Sequence, residues 1–311
     1  MSINKVSGTS WSSISKVDGV LASNVSKVNS VEAPADLLLD TYTGATAAYS
    51  FRRLNTGYSG NCIKVRNDSG TDLDIGFVGD YLDTTSLSSH CGSGGGQITV
   101  WYDQSGNSRD ASQSTVSEMP TIFSSGSLIE VNSKAAASFD GGDRLMTAST
   151  QLHTGAFYGT CVVQSPSTIG NEQIFNQDDP SSSPSPVVRI AQYLRTKGTT
   201  SSARVVVFNT SGTAFGDDSP AIGTTSQVQI SAYATSSGVI ESFDDSATNG
   251  SSSYTGTLKT GSHEASIGAS ARDTIDAAFN GHIQEIVFWD GDQSSNRSNI
   301  ESNVDAYYSI T

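Results

Sequence analysis

The segment WYDQSGNSRDASQ, residues 101–113, groups side chains whose types and spacing could do chemistry. Asp103, Gln104 and Asn107 offer a carboxylate and two amides within five residues. Such groups could hydrogen-bond a sugar, ligate a metal ion or take part in hydrolysis. The same residue types also bond their own backbone in tight turns. Three interpretations therefore apply: an active site, a ligand site or a structural turn.

The aromatic pair that opens the segment bears on that choice. If a strand continues through Trp101 and Tyr102, their rings point to opposite faces, so one belongs to the core and the other can meet a ligand. We favour a structural turn, with a sugar contact from the exposed ring and Gln104 as the second interpretation. An active site is the third.

The composition limits the classes of protein to which the chain can belong. Its 311 residues carry a net charge of −14, with 35% hydrophobic and 15% charged residues. A negative surface disfavours nucleic acid, which needs a basic patch. No run of 18 apolar residues exists and the start lacks the apolar core of a signal peptide, so we expect neither membrane insertion nor the usual secretory route. The three cysteines lack metal or redox spacing and are expected to be buried free thiols.

The first 31 residues contain an eleven-residue repeat, [IV]-x-K-V-x-[GS]. Glycine and β-branched residues oppose a helix of that period, so the pattern predicts a short strand, a turn and a second short strand in each unit. Units this small need neighbours to bury a core. We therefore predict that residues 1–33 form a stem for oligomerisation or docking, with a homotrimer preferred over a flexible tail. The apolar positions assigned to that role are Ile3, Val6, Ile14, Val17, Val25 and Val28.

Residues 34–311 are predicted to form one large domain of short strands. A hinge at Pro34 leads to a short helix ending at Gly44, and Ile300, Val304 and Tyr307 predict a helix near the C-terminus. Ten segments of four to eight residues, bounded by Gly, Asn, Asp or Ser, read as strands without an intervening helical pattern. An all-β fold with two packed sheets follows. The ten segments are AAYSFRRL, CIKVRN, QITVWYD, AAASFDG, YGTCVVQ, PVVRIAQYL, ARVVVFN, VQISAYA, EASIGA and GHIQEIVFW.

Several motifs resemble known families. ASFDGGDRLM (137–146) and FNGHIQEIVFWDGD (279–292) resemble the concanavalin A-like lectin/laminin-G superfamily, which implies a jelly-roll sandwich. Residues 48–111, with AYSFRRLNTGYSGNCIKVRND, DIGF and WYDQSGNSRDASQ, resemble the opening of the catalytic domain of glycoside hydrolase family 54 α-L-arabinofuranosidases. Many phage and prophage virion proteins share that region, and the N-terminal units resemble stems of phage tail and fibre proteins.

The resemblance implies catalytic positions that this chain does not fill. A retaining glycosidase needs two carboxylates about 5–5.5 Å apart. The family's nucleophile is a Glu on a mid-domain strand, yet residues 180–216 contain neither Asp nor Glu. In the late strand EASIGASARD, Ser270 and Ala271 occupy the region of the acid/base residue, with Asp273 slightly displaced. We therefore expect no catalytic residues and no enzyme activity.

Paired acids could hold Ca²⁺ through their oxygens. None of the pairs has the spacing of a known calcium loop, so solvated turns are the favoured interpretation and we predict no metal site and no cofactor. The pairs are Asp178 with Asp179, Asp217 with Asp218, Asp244 with Asp245, and Asp290 with Asp292.

The sequence thus predicts a phage virion protein, either a tail fibre or a head fibre or decoration, made in the bacterial host cytoplasm. Its lectin-like jelly-roll would attach to a host-surface glycan, and its stem would contact other virion proteins. Two alternatives stay open: a hydrolase or depolymerase with relocated carboxylates (Glu172 or Asp217 with Asp273), and a structural decoration protein without a ligand. The residues predicted to contact the glycan are Tyr102, Asp103, Gln104, Asn107, Arg272 and Asp273.

Overall fold

The chain divides into two compact units, Met1–Leu37 and Leu38–Thr311. The computed structural model describes residues 37–164, 172–178, 189–197, 202–221, 226–244, 251–271, 275 and 277–310, together with six short strands among the first 36 residues. The two units are described separately below.

The first unit contains three antiparallel hairpins of two-residue strands, one in each eleven-residue repeat. The predicted unit of strand, turn and strand is confirmed. Val6, Val17 and Val28 lie in these strands, whereas the other three apolar positions of the predicted interface, Ile3, Ile14 and Val25, lie outside the described residues. The strands are β1 (Lys5–Val6), β2 (Thr9–Ser10), β3 (Lys16–Val17), β4 (Val20–Leu21), β5 (Lys27–Val28) and β6 (Val31–Glu32).

The second unit is built almost entirely from strands. Three helices, α1 (Leu38–Thr41), α2 (Thr84–Cys91) and α3 (Arg297–Tyr308), accompany them in its described part. The strands are β7 (Ala45–Ser50), β8 (Ile63–Asn67), β9 (Asp72–Ile75), β10 (Phe77–Val78), β11 (Tyr81–Leu82), β12 (Gly96–Trp101), β13 (Ala111–Ser112), β14 (Thr121–Ser124), β15 (Ser127–Leu128), β16 (Glu130–Val131), β17 (Lys134–Ala135), β18 (Ala137–Asp140), β19 (Leu145–Met146), β20 (Phe157–Gln164), β21 (Gln173–Asp178), β22 (Arg189–Lys197), β23 (Ser202–Phe208), β24 (Ala214–Ala221), β25 (Gln227–Ala234), β26 (Val239–Asp244), β27 (Ser252–Ser253), β28 (Ala265–Ile267) and β29 (Asn280–Asp290).

Apart from the separate hairpins β10–β11 and β16–β17, these strands form two antiparallel sheets. The first sheet has the order β9-β8-β12-β13-β19-β28-β21-β22-β23-β24. In the second sheet, one edge of β29 pairs with β20. Its other edge pairs with β18 over residues 280–283 and with β7 over residues 285–289. Strands β25, β26 and β27 follow in that order on the far side of β20. Strand β14 pairs with both β12 and β18 and so joins the two sheets at one edge. The architecture is the predicted all-β two-sheet sandwich.

Alternation along β20 and β29 shows why the second sheet is buried on both faces. Phe157 and Phe288 stack at 5.3 Å in the core between the sheets, while the next residues, Tyr158 and Trp289, face the opposite way. Successive side chains of a strand point to opposite faces, so both faces are apolar here. Phe288 also lies 5.7 Å from Phe175 of the first sheet, which shows that the two inner faces interlock.

Helices α1 and α3 cover the outer face of the second sheet. Leu38, Ile300 and Val304 are buried there with Trp289. The predicted C-terminal helix is confirmed, but Tyr308 rather than Tyr307 is the aromatic residue that is fully buried. Because 3.6 residues make one turn, Ile300, Val304 and Tyr308 at spacing four form the inward stripe.

Helix α2 corrects the prediction that no helix interrupts the strands. Its sequence, TTSLSSHC, consists mainly of weak helix formers. Asp83 caps its N-terminus by accepting hydrogen bonds from the Ser86 amide (3.0 Å) and hydroxyl (2.6 Å), and Leu87 and Cys91 are buried against the core. The N-terminal cap and the burial of Leu87 and Cys91 stabilise the helix despite its weak intrinsic helix propensity. Cys62, Cys91 and Cys161 are buried free thiols, as predicted.

Candidate functional site

Asp103 links the predicted ligand segment to strand β7. Its Oδ1 accepts hydrogen bonds from the amides of Ala48 (2.8 Å) and Ser105 (2.9 Å), and its Oδ2 accepts from the Arg109 amide (3.0 Å) and the Ser105 hydroxyl (2.7 Å). The residue is 3% exposed. Three of these contacts stabilise the turn that follows β12, and the contact with the Ala48 amide connects that turn to β7.

Gln104 forms a second buried connection at the same junction. Its Oε1 accepts from the Leu54 amide (2.8 Å), and its Nε2 donates to the carbonyls of Ser50 (2.9 Å) and Arg52 (3.0 Å). These backbone groups lie at the end of β7 and just beyond it, and the Ser50 carbonyl also accepts from the Cys62 thiol (3.3 Å). Gln104 thus provides hydrogen-bond partners for buried backbone groups at this junction.

Tyr102 and Asn107 lie nearer the surface. The Tyr102 hydroxyl donates to Asp74 Oδ1 (2.6 Å), and burial together with that carboxylate raises the pKa of the phenol. The Asn107 amide donates to the Ala45 carbonyl (3.0 Å). Trp101, the last residue of β12, is fully buried and Tyr102 is half-buried, so one ring belongs to the core and the other is partly exposed. Arg272 and Asp273 lie outside the described residues, and ligand contact by the six residues stays a prediction.

The carboxylates of the predicted hydrolase alternative have different surroundings. Asp217 links β24 to the neighbouring strands, since its Oδ2 accepts from the Ser242 amide (2.9 Å) and its Oδ1 from the Ser252 hydroxyl (2.6 Å). Glu172 is 9% exposed at the start of β21. Asp178 ends that strand, is fully buried, and accepts from the Ser270 hydroxyl at 3.5 Å. Glu172 thus lies immediately before β21 and Asp178 ends it, so both acids precede residues 180–216, where the family nucleophile was sought.

Both members of one acid pair considered for calcium, Asp290 and Asp292, accept hydrogen bonds from backbone amides. Asp290 Oδ1 accepts from the Thr154 amide (2.8 Å), and Asp292 Oδ1 accepts from the Ser294 amide (2.8 Å). Among the described residues, no group of three or more His, Cys, Asp or Glu side chains is placed to hold a metal ion. Across the same residues, no helix has the length and apolarity needed to cross a membrane.

A pocket that the sequence did not reveal lies between the β10–β11 hairpin, the β16–β17 hairpin and helix α3. It encloses about 290 Å³, at the lower end of the range of small-molecule sites, about 300–1,000 Å³. We call it the Tyr81–Tyr307 pocket. Its lining combines aromatic, aliphatic and polar side chains: Phe51, Tyr81, Leu82, Thr84, Leu128, Glu130, Ser133, Lys134, Ala135, Tyr307 and Tyr308.

Two tyrosine rings form the aromatic wall of the pocket. Tyr81 and Tyr307 are stacked with centroids 6.2 Å apart and planes 24° apart, and Tyr81 is 46% exposed. Tyr307 packs edge-on against Tyr308, with centroids 4.7 Å apart. Burial raises the pKa of the Tyr307 phenol, so the ring stays neutral at physiological pH. A large exposed aromatic face at a cavity is a surface on which a flat apolar ligand face can pack.

Two cations lie against these rings. The Arg52 guanidinium carbon is 4.7 Å from the Tyr307 centroid, and the Lys134 Nζ is 4.1 Å from the same centroid. Arg52 pairs with Glu285 at 2.7 and 2.8 Å, so its charge is balanced. Burial, with a smaller contribution from the charge of Arg52, lowers the pKa of Lys134. The pocket therefore combines a hydrogen-bond donor with an aromatic wall.

Comparison with known proteins identifies the fold. No family model and no curated protein matches the sequence. Among solved structures, the chain is similar to an arabinofuranosidase complexed with arabinofuranosyl-α-1,2-xylobiose, with a TM-score of 0.50 and 14% identity over 87% of this chain. A variant of a GH54 α-L-arabinofuranosidase soaked with 4-nitrophenyl α-L-arabinofuranoside gives the same three values.

The chain spans 64% and 65% of the length of these two structures. A second kind of neighbour is the CBM40 module of a Ruminococcus gnavus IT-sialidase bound to α2,6-sialyllactose, with a TM-score of 0.40 and 12% identity over 48% of this chain and 84% of that one. The likeness to the two arabinofuranosidase structures shows a β-sandwich fold.

Proposed function

We propose that the sandwich unit binds a glycan in the Tyr81–Tyr307 pocket. The observation that carries the proposal is the half-exposed Tyr81 ring beside Lys134, Glu130 and Ser133 in one cavity. A sugar ring has one face of C–H groups, which packs on an aromatic ring, and hydroxyls at its rim, which need donors and acceptors. The fold likeness to arabinofuranosidases that were solved with arabinofuranosyl ligands supports carbohydrate as the ligand class.

The test compares two surfaces on one glycan array. Wild type, Y81A and Y102A are labelled identically and applied to the same immobilised glycans. We expect Y81A to lose at least tenfold in affinity for the glycans that wild type binds, and Y102A to retain it. Loss in Y102A alone would instead place the site at the segment 101–113. Absence of any binding by wild type would contradict the proposal.

We propose further that the unit binds without hydrolysis. Asp178 is fully buried, and both oxygens of Asp217 hold strands of the sandwich. Incubation with 4-nitrophenyl α-L-arabinofuranoside is expected to release no nitrophenol above the uncatalysed rate. Release that disappears in E172Q or D217N would establish a hydrolase with relocated carboxylates and overturn this proposal.

The biological setting that we propose is the virion of a bacteriophage, with the stem attached to other virion proteins and the sandwich facing the host surface. It rests on the eleven-residue units and on the resemblance of residues 48–111 to virion proteins. Several copies would multiply weak sites by avidity. Mass spectrometry of purified particles of the source phage is expected to recover this chain, and its absence from intact particles would contradict the assignment.

A further inference from the structure

We propose that the Tyr81–Tyr307 pocket selects a sugar acid, whose carboxylate pairs with the ammonium group of Lys134. The inference rests on the proposed glycan site and names the chemical class of its ligand. It follows from the position of Lys134, from the charges around it and from the neighbouring acid Glu130.

The position of Lys134 is fixed by the backbone of its hairpin. Asn132 and Ser133 at the tip have φ values of 49° and 59°, the left-handed pair that a type I′ turn requires. The buried Gln284 of β29 donates through Nε2 to the carbonyls of Val131 (3.2 Å) and Lys134 (3.1 Å). The hairpin is thereby attached to the central strand of the second sheet, and Lys134 is held at the pocket before any ligand arrives.

The ammonium group of Lys134 lies close to two aromatic rings, those of Tyr307 and Tyr81. Its Nζ is 4.1 Å from the Tyr307 centroid and 5.9 Å from the Tyr81 centroid. The ion pairs found among the described residues include Arg52 with Glu285 but not Lys134. A half-buried ammonium group is stabilised by an anion, because burial weakens its hydration.

A carboxylate meets this requirement better than a hydroxyl. A neutral hydroxyl can accept a hydrogen bond from Nζ, whereas a carboxylate accepts the same bond and also neutralises the charge of the ammonium group. The carboxylate would lie at the Lys134 side while the sugar ring packs on Tyr81. Lys134 is thus the residue that distinguishes acidic from neutral sugars.

Glu130 limits how much negative charge the ligand can carry. It lines the same pocket and is exposed at its rim, and the whole chain has a net charge of −14. A ligand with several clustered anionic groups, such as a sulfated sugar, would meet Glu130 as a like charge. One carboxylate per bound sugar satisfies Lys134 and leaves Glu130 to accept a hydrogen bond from a ring hydroxyl.

The test uses matched ligands that differ only in charge. Galacturonic, glucuronic and N-acetylneuraminic acids are titrated against the full chain by NMR, each beside its methyl ester, and neutral galactose and arabinose oligosaccharides complete the panel. We expect at least one acid to bind at least tenfold more tightly than its ester. K134Q is expected to remove that difference, K134R to keep it, and Y81A to weaken acid and ester alike. Thermal unfolding of each variant verifies the fold.

The outcomes separate this inference from the proposed function. Esters or neutral sugars that bind as tightly as the acids, or an acid preference unchanged in K134Q, would overturn the assignment of a sugar acid while leaving the glycan site in place. If wild type binds none of the acidic, esterified or neutral sugars, the glycan site itself fails and the inference fails with it.

Discussion

Arg52 and Glu285 form a bidentate ion pair that is almost completely buried, with 4% and 1% of their side chains exposed. The guanidinium also donates to Asn303 Oδ1 (3.0 Å), and the carboxylate accepts from the Ser50 hydroxyl (2.7 Å). The pair thereby joins β7, β29 and α3 behind the ring of Tyr307. These hydrogen bonds offset the desolvation cost of burying the Arg52 and Glu285 charges.

Removing the negative partner leaves a buried guanidinium without its counter-charge. E285Q is therefore expected to lower the free energy of unfolding by about 3 kcal/mol. The control is D72N, which breaks another bidentate pair, Arg66 with Asp72, whose side chains are 29% and 35% exposed. Because solvent screens an exposed pair, D72N should lower the free energy of unfolding far less than E285Q does. Urea unfolding measures both, and equal losses would contradict the importance of burial.

Gln104 and Asn107 allow the structural role of the segment 101–113 to be measured. Q104A removes three buried hydrogen bonds, to the Leu54 amide and to the carbonyls of Ser50 and Arg52, and at about 1 kcal/mol per hydrogen bond we expect a loss of about 2–4 kcal/mol. N107A removes contacts at an exposed position and should lose about 1 kcal/mol or less. A loss from N107A as large as that from Q104A would show that this ranking by burial is wrong.

Asp143 gives the stability a measurable dependence on pH. Burial raises its pKa to about 7, with a further contribution from Asp140. Between about pH 4 and 7 the folded chain keeps a proton that the unfolded chain has lost, so stability due to this group falls as the pH rises through that window. D143N is expected to gain about 1–2 kcal/mol relative to wild type between pH 4 and pH 8, after allowance for solvent screening.

Thermal melts of wild type and D143N at pH 4, 6 and 8 test this expectation. His153, whose pKa burial lowers to about 4, has the opposite effect, since its contribution is lost as the pH falls below its ordinary value. Both proteins contain His153, so the difference between them isolates Asp143. A difference that does not change with pH would contradict the raised pKa of Asp143.

The proposed stem is tested by mass in solution. If residues 1–33 drive trimer formation, light scattering of the full chain should give three times 32.4 kDa, and the chain without those residues should be a monomer. The repeats are too small to bury a core alone, which is why association is expected. Monomers in both cases would refute the trimer, and trimers in both would assign association to the sandwich.

Sequence patterns identified ten strand segments of the second unit through their apolar residues, and each of these segments overlaps a strand of the structure. Other strands of that unit were missed. One of them is β21, whose sequence QIFNQD buries Asn176, Gln177 and Asp178. Polar residues normally mark exposed positions, and only tertiary hydrogen bonds, such as that from the Ala271 amide to Asn176 Oδ1 (3.1 Å), reverse that rule.

The pocket could not be found from spacing along the chain. Tyr81, Lys134 and Tyr307 come from two hairpins and the last helix, and none of them lies in a motif. One local signal existed: NS at positions 132–133, between EV and KA, fits a tight hairpin that presents Lys134. The residues Asn132 and Ser133 thus predict the hairpin turn, but they do not predict that the Lys134 side chain lies near the rings of Tyr81 and Tyr307.

The position of β29 sets the order in which the sandwich can be completed during synthesis. Glu285 pairs with Ser50, 235 residues earlier in the chain, and β20 and β18 also depend on β29 for a neighbour. While the ribosome is still producing the middle of the protein, β7 and β18 lack this partner, and their free edges can pair with other chains. The second sheet closes only after residue 290 has emerged, so a chaperone that shields unpaired strands should raise the yield of this unit.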